Sequence, residues 1–316
     1  MQLSRVQLMT HRIVATHEHA TMLMALSSGL TMEMSRDAGI MLENVEKYLA
    51  SHPDGPFFSF GGAFEGTVEI YRQDIDAIIA DRPFLMIAAS GHGGWANTKA
   101  LEAAGIVKDK TDPIDSFGRE EDGTPDGYVA SSAAVFYMIG ALDLIKKEAV
   151  LEQADGVLRQ MSKLGVTASY EVAQVPGTEE AMFSSVSELE QQGRLTVRMV
   201  CATMIQRPRH IEGALKALEK FGPIYSSELF NVNTLKVHGD GAFEGRTAGL
   251  LEPYSDAPDT RGLVSLDPEE LSSSMLAAAE AGYNIHTHAI GDRTNRAMLD
   301  GMQAVREAGF KETRLS

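Results

Sequence analysis

A single cysteine, Cys201, stands in 316 residues. No intrachain disulfide can form and no multi-cysteine zinc or iron–sulfur site can be built, so a reducing compartment fits best. Positive charge is also short. The 28 Lys and Arg face 44 Asp and Glu, a formal net charge of −16, which argues against nucleic acid as a partner because a phosphate backbone calls for a concentrated basic face. Long apolar runs are missing as well. The patch at residues 21–34 is too short and broken to span a bilayer, and residues 1–10 carry Arg5 but no apolar signal core, so the expectation is a cytoplasmic protein without a membrane partner. No G-x-S-x-G elbow, P-loop or G-x-G-x-x-G occurs, and Cys201 lies in an apolar run without a histidine partner, as a buried structural thiol would.

What remains is an ordinary globular composition, 44% hydrophobic and 23% charged, long enough for a large core. The second half alternates regularly. Val150, Leu151, Ala154, Val157, Leu158 and Met161 fall at helical spacing within residues 145–164, Gly165 stops that helix, and a strand is expected at 166–172. The cycle repeats with a helix at 179–191 and a strand at 195–201, then a helix at 208–221 and a strand at 233–238. A fourth helix opens at Asp267 with Pro268 in its first turn and hands over at Gly282 to a strand at 283–288. Asp292 is expected to cap a last helix running to Ala308. Strands alternating with helices of this length imply βαβ units and a parallel sheet. An earlier strand is expected at 12–16. Residues 1–19 then form the first strand and its lead-in, residues 20–135 an inserted subdomain, and residues 136–316 the later strands with their helices. The insertion has Gly and Pro clusters at 53–66, its own strand at 83–89 and a polar loop at 108–127.

Chemistry concentrates at strand ends. His17-Glu-His19 places two imidazoles on one side of an extended segment, where both can reach one metal, although such pairs also arise by chance. A second pair, His286-Thr-His288, ends another strand. His288, nearer the strand's end, is the candidate ligand, while His286 is expected to pack in the core or against a neighbouring strand. Lys236 sits in an apolar strand. Either it faces the interior, where carboxylation would turn its amine into an anionic bridging ligand, or it points outward and snorkels to water. Asp240, Glu244 and Arg246 follow in a loop where substrate recognition is commonly built, though glycines on both sides of Asp240 also suit a turn. Ser90-Gly-His-Gly-Gly-Trp-Ala-Asn97 brings His92 and the only tryptophan to a flexible segment that could wall a pocket, with Asn97 able to cap the next helix. His11, His52 and His210 are expected at the surface.

Three motifs in order carry a resemblance. The run from Lys236-Val-His-Gly-Asp-Gly-Ala-Phe-Glu-Gly-Arg-Thr-Ala to Tyr254-Ser255, then His288-Ala-Ile-Gly-Asp292, resembles the amidohydrolase family 3 group of metal-dependent hydrolases. The stretch from Ser90 to Ile106 is similar to that group's motif in its long insertion, with Ser90 where the group usually has Asp. The resemblance implies a distorted (β/α)8 TIM-like barrel with a metal centre at the C-terminal ends of its strands. It matches His17 and His19 to the first-strand ligands, Lys236 to the fourth-strand lysine as a metal bridge, and His288 to the fifth-strand histidine. The family's sixth-strand histidine and eighth-strand aspartate have no counterpart. The expectation is therefore a barrel truncated after about five strands, an internal piece of a longer enzyme.

The activity implied is hydrolysis of an amide or other non-peptide C–N bond of a small molecule by a metal-activated water. One or two divalent ions, zinc foremost, would be held by His17, His19, Lys236 and His288, with His92, Asp240 and Arg246 as substrate contacts. The alternatives are a mononuclear deaminase of the same superfamily, in which Lys236 stays an amine, and a catalytically incomplete fragment whose open strand edges make a homo-oligomer.

Overall fold

The computed structural model describes residues 13–114, 116–172 and 175–316, so Arg12 and His11 lie outside the described residues. β1 (Ile13–Glu18) leads into α1 (Ala20–Leu26). Then come β2 (Leu30–Met32), α2 (Ala38–Ser51), β3 (Phe58–Gly61), α3 (Arg72–Asp76), β4 (Leu85–Ile87) and β5 (Gly94–Ala96). After α4 (Thr98–Ala103), β6 (Phe117–Arg119) and β7 (Pro125–Val129), α5 (Ser132–Ala141) leads into the regular part of the chain. There α6 (Lys147–Lys163), β8 (Val166–Glu171), α7 (Glu179–Gln191), β9 (Arg198–Ile205), α8 (Ile211–Tyr225), β10 (Phe230–His238), α9 (Pro268–Glu280), β11 (Asn284–His288) and α10 (Asp292–Glu307) alternate as expected.

Local chemistry sets the helix ends. Asp267 accepts from the N–H groups of Glu269 and Glu270 while Glu270 reaches back to the Asp267 N–H, a reciprocal cap with Pro268 in the first turn. Gly165 follows α6 with φ +80°, a left-handed turn that stops a helix without the penalty of a side chain. Asp292 is not the cap of the last helix. Gly291 holds that position, and the Asp292 carboxylate accepts instead from the N–H of Leu251, tying the preceding loop to the helix start.

Five strands form one parallel sheet in the order β1-β8-β9-β10-β11. It is a curled half-barrel with helices on its outer face, where Phe183, Phe221 and Phe230 pack together. Residues 314–316 run beside β11, with Leu315 bridged in parallel to Ile285. Several strand boundaries differ from expectation, most of all in β9 and β10. β9 extends to Ile205, because a strand buried on both faces reads as a continuous apolar run with no alternation to mark its ends. β10 begins at Phe230, since half-buried Asn231 and Asn233 alternate with buried Phe230 and Val232. α8 also runs past Phe221, with Pro223 inside its last turns. Cys201 is fully buried in β9.

The chain between β1 and α5 builds a second sheet, order β2-β3-β4-β5-β7-β6, parallel across the first three strands and antiparallel beyond. The stretch expected to be a polar loop contains a hairpin. β6 and β7 pair around Asp122-Gly123, Gly123 takes φ +84°, β6 is only half-buried, and β7 buries Pro125, Gly127 and Val129 in alternation with half-buried Asp126 and Tyr128. Asn97 caps α4 and does more: its Oδ1 accepts from Phe84 and Ala100 N–H, and its Nδ2 donates to the Ile79 and Arg82 carbonyls. Among the described residues no helix is long and apolar enough to cross a membrane.

Candidate metal centre

Strand periodicity loads the inner face of the sheet with nitrogen. Lys236 and His238 are two residues apart in β10, as are His286 and His288 in β11 and His17 and His19 in β1, so each pair points to one side. The register of β10 and β11 sets Lys236 beside His286 and His238 beside His288. Curling closes the arrangement. His17 Nδ1 and His286 Nε2 are 3.0 Å apart, and the His17 and His19 rings meet edge to face at 5.0 Å. His286 does pack against a neighbouring strand, but there it faces the other histidines, with its Nδ1 2.8 Å from Ser316 Oγ.

Lys236 faces the interior. It is 2% exposed, and among the described residues its Nζ has no hydrogen-bond partner, nor has His238 Nδ1. Burial brings the Lys236 amine down from its ordinary range to about 7. Burial, then the Lys236 charge, lowers His286 and His288 to about 3 each. His17 falls to about 4 by burial and Lys236, and His19 to about 3 by burial and the neighbouring His17. These imidazoles are neutral at pH 7, so each has a nitrogen lone pair to offer.

The second sheet reaches into the same space. His92 lies in the turn between β4 and β5, with its ring centroid 5.3 Å from His288 and 6.2 Å from His238, while the His238 and His288 rings stack at 4.5 Å. One ring nitrogen from each of the three lies within 4.8 Å of the others. His92 Nδ1 is 2.9 Å from Ser132 Oγ. Its N–H donates to Ser90 Oγ at 2.9 Å, and that hydroxyl donates to the buried Glu65 carboxylate.

The other candidates serve differently. Asp240 is buried and accepts the N–H groups of Gly249 (2.9 Å), Ile290 (3.0 Å) and Gly291 (2.8 Å), pinning the loop after β10 to the loop after β11, with its Oδ1 3.7 Å from His288 Nε2. Glycine is required there, since a Cβ on Gly291 would lie 1.9 Å from the Gly249 carbonyl oxygen. Arg246 is exposed and pairs with Asp256 at 3.0 Å, and Glu244 is exposed beside it. His52 is exposed and stacks on Tyr48, whereas His210 is half-buried. A cavity of about 550 Å³ opens against His17, His19 and His92, its walls continued by Met22, Phe60 and Phe136. Sequence reasoning passed over His238 and Glu65, and gave His286 a packing role only. His238 was within reach, standing two positions after Lys236 on the same strand face. His286 needed the sheet's curl, and Glu65 gave no local signal.

The fold is similar to that of a solved structure, an uncharacterized metal-dependent hydrolase from Pyrococcus horikoshii OT3. The TM-score is 0.64 at 19% identity, over 93% of this chain and 56% of that one. The amidohydrolase family model matches residues 16–315, and the chain belongs to that family. It is 24% identical over 302 residues to exoenzymes regulatory protein AepA of Pectobacterium carotovorum subsp. carotovorum, covering 92% of this chain and 64% of AepA. It is 28% identical over 240 residues to protein LONG AFTER FAR-RED 3 of Arabidopsis thaliana, covering 74% of this chain and 40% of that protein. The chain thus spans less than two thirds of the length of each.

Proposed function

We propose that this chain carries the metal centre of a hydrolase that cleaves an amide or other non-peptide C–N bond in a small molecule. The observation that carries the reading is Lys236: an amine buried among neutral imidazoles, with no carboxylate and no hydrogen-bond partner on its Nζ. A buried amine left in that state is costly, and the cost is relieved if it becomes a ligand. Carboxylation fits the site, because it needs the unprotonated amine that burial favours. The donor set of imidazole nitrogen and one oxygen suits zinc or a similar divalent ion.

His17 and His19 from β1, Lys236 from β10 and His288 from β11 would hold the ion or ions, and His286 supports His17 from the opposite edge. Bound there, a divalent ion supplies Lewis acidity toward water and the scissile carbonyl. The chain's own residues do the rest. Asp240 fixes the two loops at the mouth of the site through three backbone N–H groups. The apolar cavity walls beside the exposed His17 and His19 seat the apolar part of a substrate. His92 and Arg246 are the proposed polar contacts, His92 from within the cluster and Arg246 from the exposed rim.

A panel of small amides tests this, with amine, carboxylate and ammonia release followed separately for the parent and Lys236→Met. Hydrolysis that depends on a divalent ion and is lost in Lys236→Met is expected. A Lys236→Met protein as active as the parent would overturn the reading, and no amide cleavage, with ammonia released instead from an amino-substituted heterocycle as its carbon becomes a carbonyl, would assign the deaminase chemistry.

A further inference from the structure

We infer that a small polar cavity between the end of β9 and the start of α5 binds a carboxylate, with Arg207 as its anchor, and that the amide cleaved at the centre carries that group. The pocket stands by itself, whereas calling its ligand the substrate rests on the hydrolytic reading.

The cavity measures about 230 Å³, and Arg207, Ser131, Ser132, Ala133 and His238 line it. Arg207 follows β9 and is half-buried. Its guanidinium donates to the carbonyl of its neighbour Gln206 at 3.0 Å, and among the described residues no carboxylate pairs with it. A guanidinium that has given up water without gaining an anion keeps its planar fork of donors for a ligand, and that fork matches a carboxylate.

The start of α5 adds donors of its own. Ser131 caps the helix, its Oγ accepting from the Ala134 N–H at 3.3 Å, which leaves the hydroxyl proton to donate. The N–H groups of Ser132 and Ala133 stand in the first turn of this ten-residue helix, where they have no intrahelical acceptor and the dipole favours negative charge. His238 is the independent sign of a ligand. It is 4% exposed, and its Nδ1 has no hydrogen-bond partner among the described residues.

Charge limits what the cavity takes. Asp240 also lines it, with its carboxylate engaged by three backbone N–H groups. One guanidinium beside one carboxylate suits a monoanion, whereas a phosphate dianion would be repelled. Position links the cavity to the centre. The His238 ring stacks on His288 at 4.5 Å, and the Ser132 hydroxyl meets His92 Nδ1 at 2.9 Å. His92 in turn lines the larger apolar cavity. The two cavities thus adjoin one histidine cluster, so an amide spanning them would place its apolar group in the larger and its carboxylate in the smaller.

Calorimetric titration with hydrocinnamate and with the uncharged hydrocinnamyl alcohol, neither of which has a C–N bond to cleave, tests the pocket. The parent is expected to bind the carboxylate about tenfold or more tightly than the alcohol. Arg207→Gln should lose that preference, and Arg207→Lys, which keeps the charge without the fork, should fall between. Arg207→Gln removes no hydrogen bond to a distant segment, so the fold is expected to survive it. No preference in the parent, or an equal one in Arg207→Gln, would overturn the inference and leave the hydrolytic reading standing. For the substrate role, kcat/KM for N-benzoylglycine should exceed that for N-benzoylethanolamine by about tenfold or more in the parent, and the gap should close in Arg207→Gln. Equal cleavage of both amides by the parent would overturn that role. Carboxylate binding with neither amide cleaved would uphold the pocket and count against the hydrolytic reading alone.

Discussion

His17 Nδ1 and His286 Nε2 lie 3.0 Å apart although they stand on the first and last strands of the five-stranded order. Four steps of strand spacing in a flat sheet would separate those strands by about 19 Å. The sheet is therefore strongly curled, and the curl turns three separate H-x-H or K-x-H pairs into one inner wall. Curvature, more than any single motif, makes the site.

Asp240 is the tie that keeps that wall's mouth in shape. Asp240→Ala leaves three backbone N–H groups without their acceptor. It should cost about 3 kcal/mol or more in urea denaturation, and Asp240→Asn, which keeps one acceptor oxygen, less.

Asn97 holds the second sheet in the same manner. Its four hydrogen bonds at full burial predict that Asn97→Ala loses about 3 kcal/mol, read as a lower denaturation midpoint with an unchanged slope. A loss well under 1 kcal/mol would show that the four bonds are replaced by water.

The alternation of strands and helices after residue 145 was legible because each helix carries an apolar stripe and all but α8 end at a glycine. The histidine pairs His17/His19 and His286/His288 were legible as pairs sharing one strand face because period-2 spacing is a local property, although only His288 of the second pair was taken as a candidate ligand. What could not be read depends on distant pairing. Nothing near His286 indicates that β1 will curl to meet it, and nothing near Glu65 indicates that Ser90 will need an acceptor. The hairpin of β6 and β7 was taken for a loop because β6, half-buried at the sheet edge, needs no apolar face and β7 turns Pro125 and Gly127 inward with only Val129 as a large apolar residue, and the end of β9 was missed because a strand buried on both sides shows no alternation.

Lys236 Nζ has no hydrogen-bond partner to lose among the described residues. In metal-free protein, Lys236→Met should be at least as stable as the parent, with a gain of about 1 to 3 kcal/mol from removing an unsatisfied buried amine. The same substitution should lower the amount of zinc retained. Marked destabilisation without metal would instead make Lys236 a structural residue.

Arg246 pairs with Asp256 in the open, where the two side chains are 52% and 63% exposed. Arg246→Ala should change stability by less than about 1 kcal/mol and leave zinc binding unchanged. If it contacts substrate, KM for the cleaved amide rises while kcat holds.

The most direct test of the metal centre is zinc retained per chain after chelation, reloading and dialysis, compared between the parent and His17→Ala. Tightly bound zinc in the parent and at least one equivalent less in His17→Ala is the predicted result. Equal zinc, held with equal affinity, in both proteins would contradict the assignment of His17 and with it the centre on the inner face of the half-barrel.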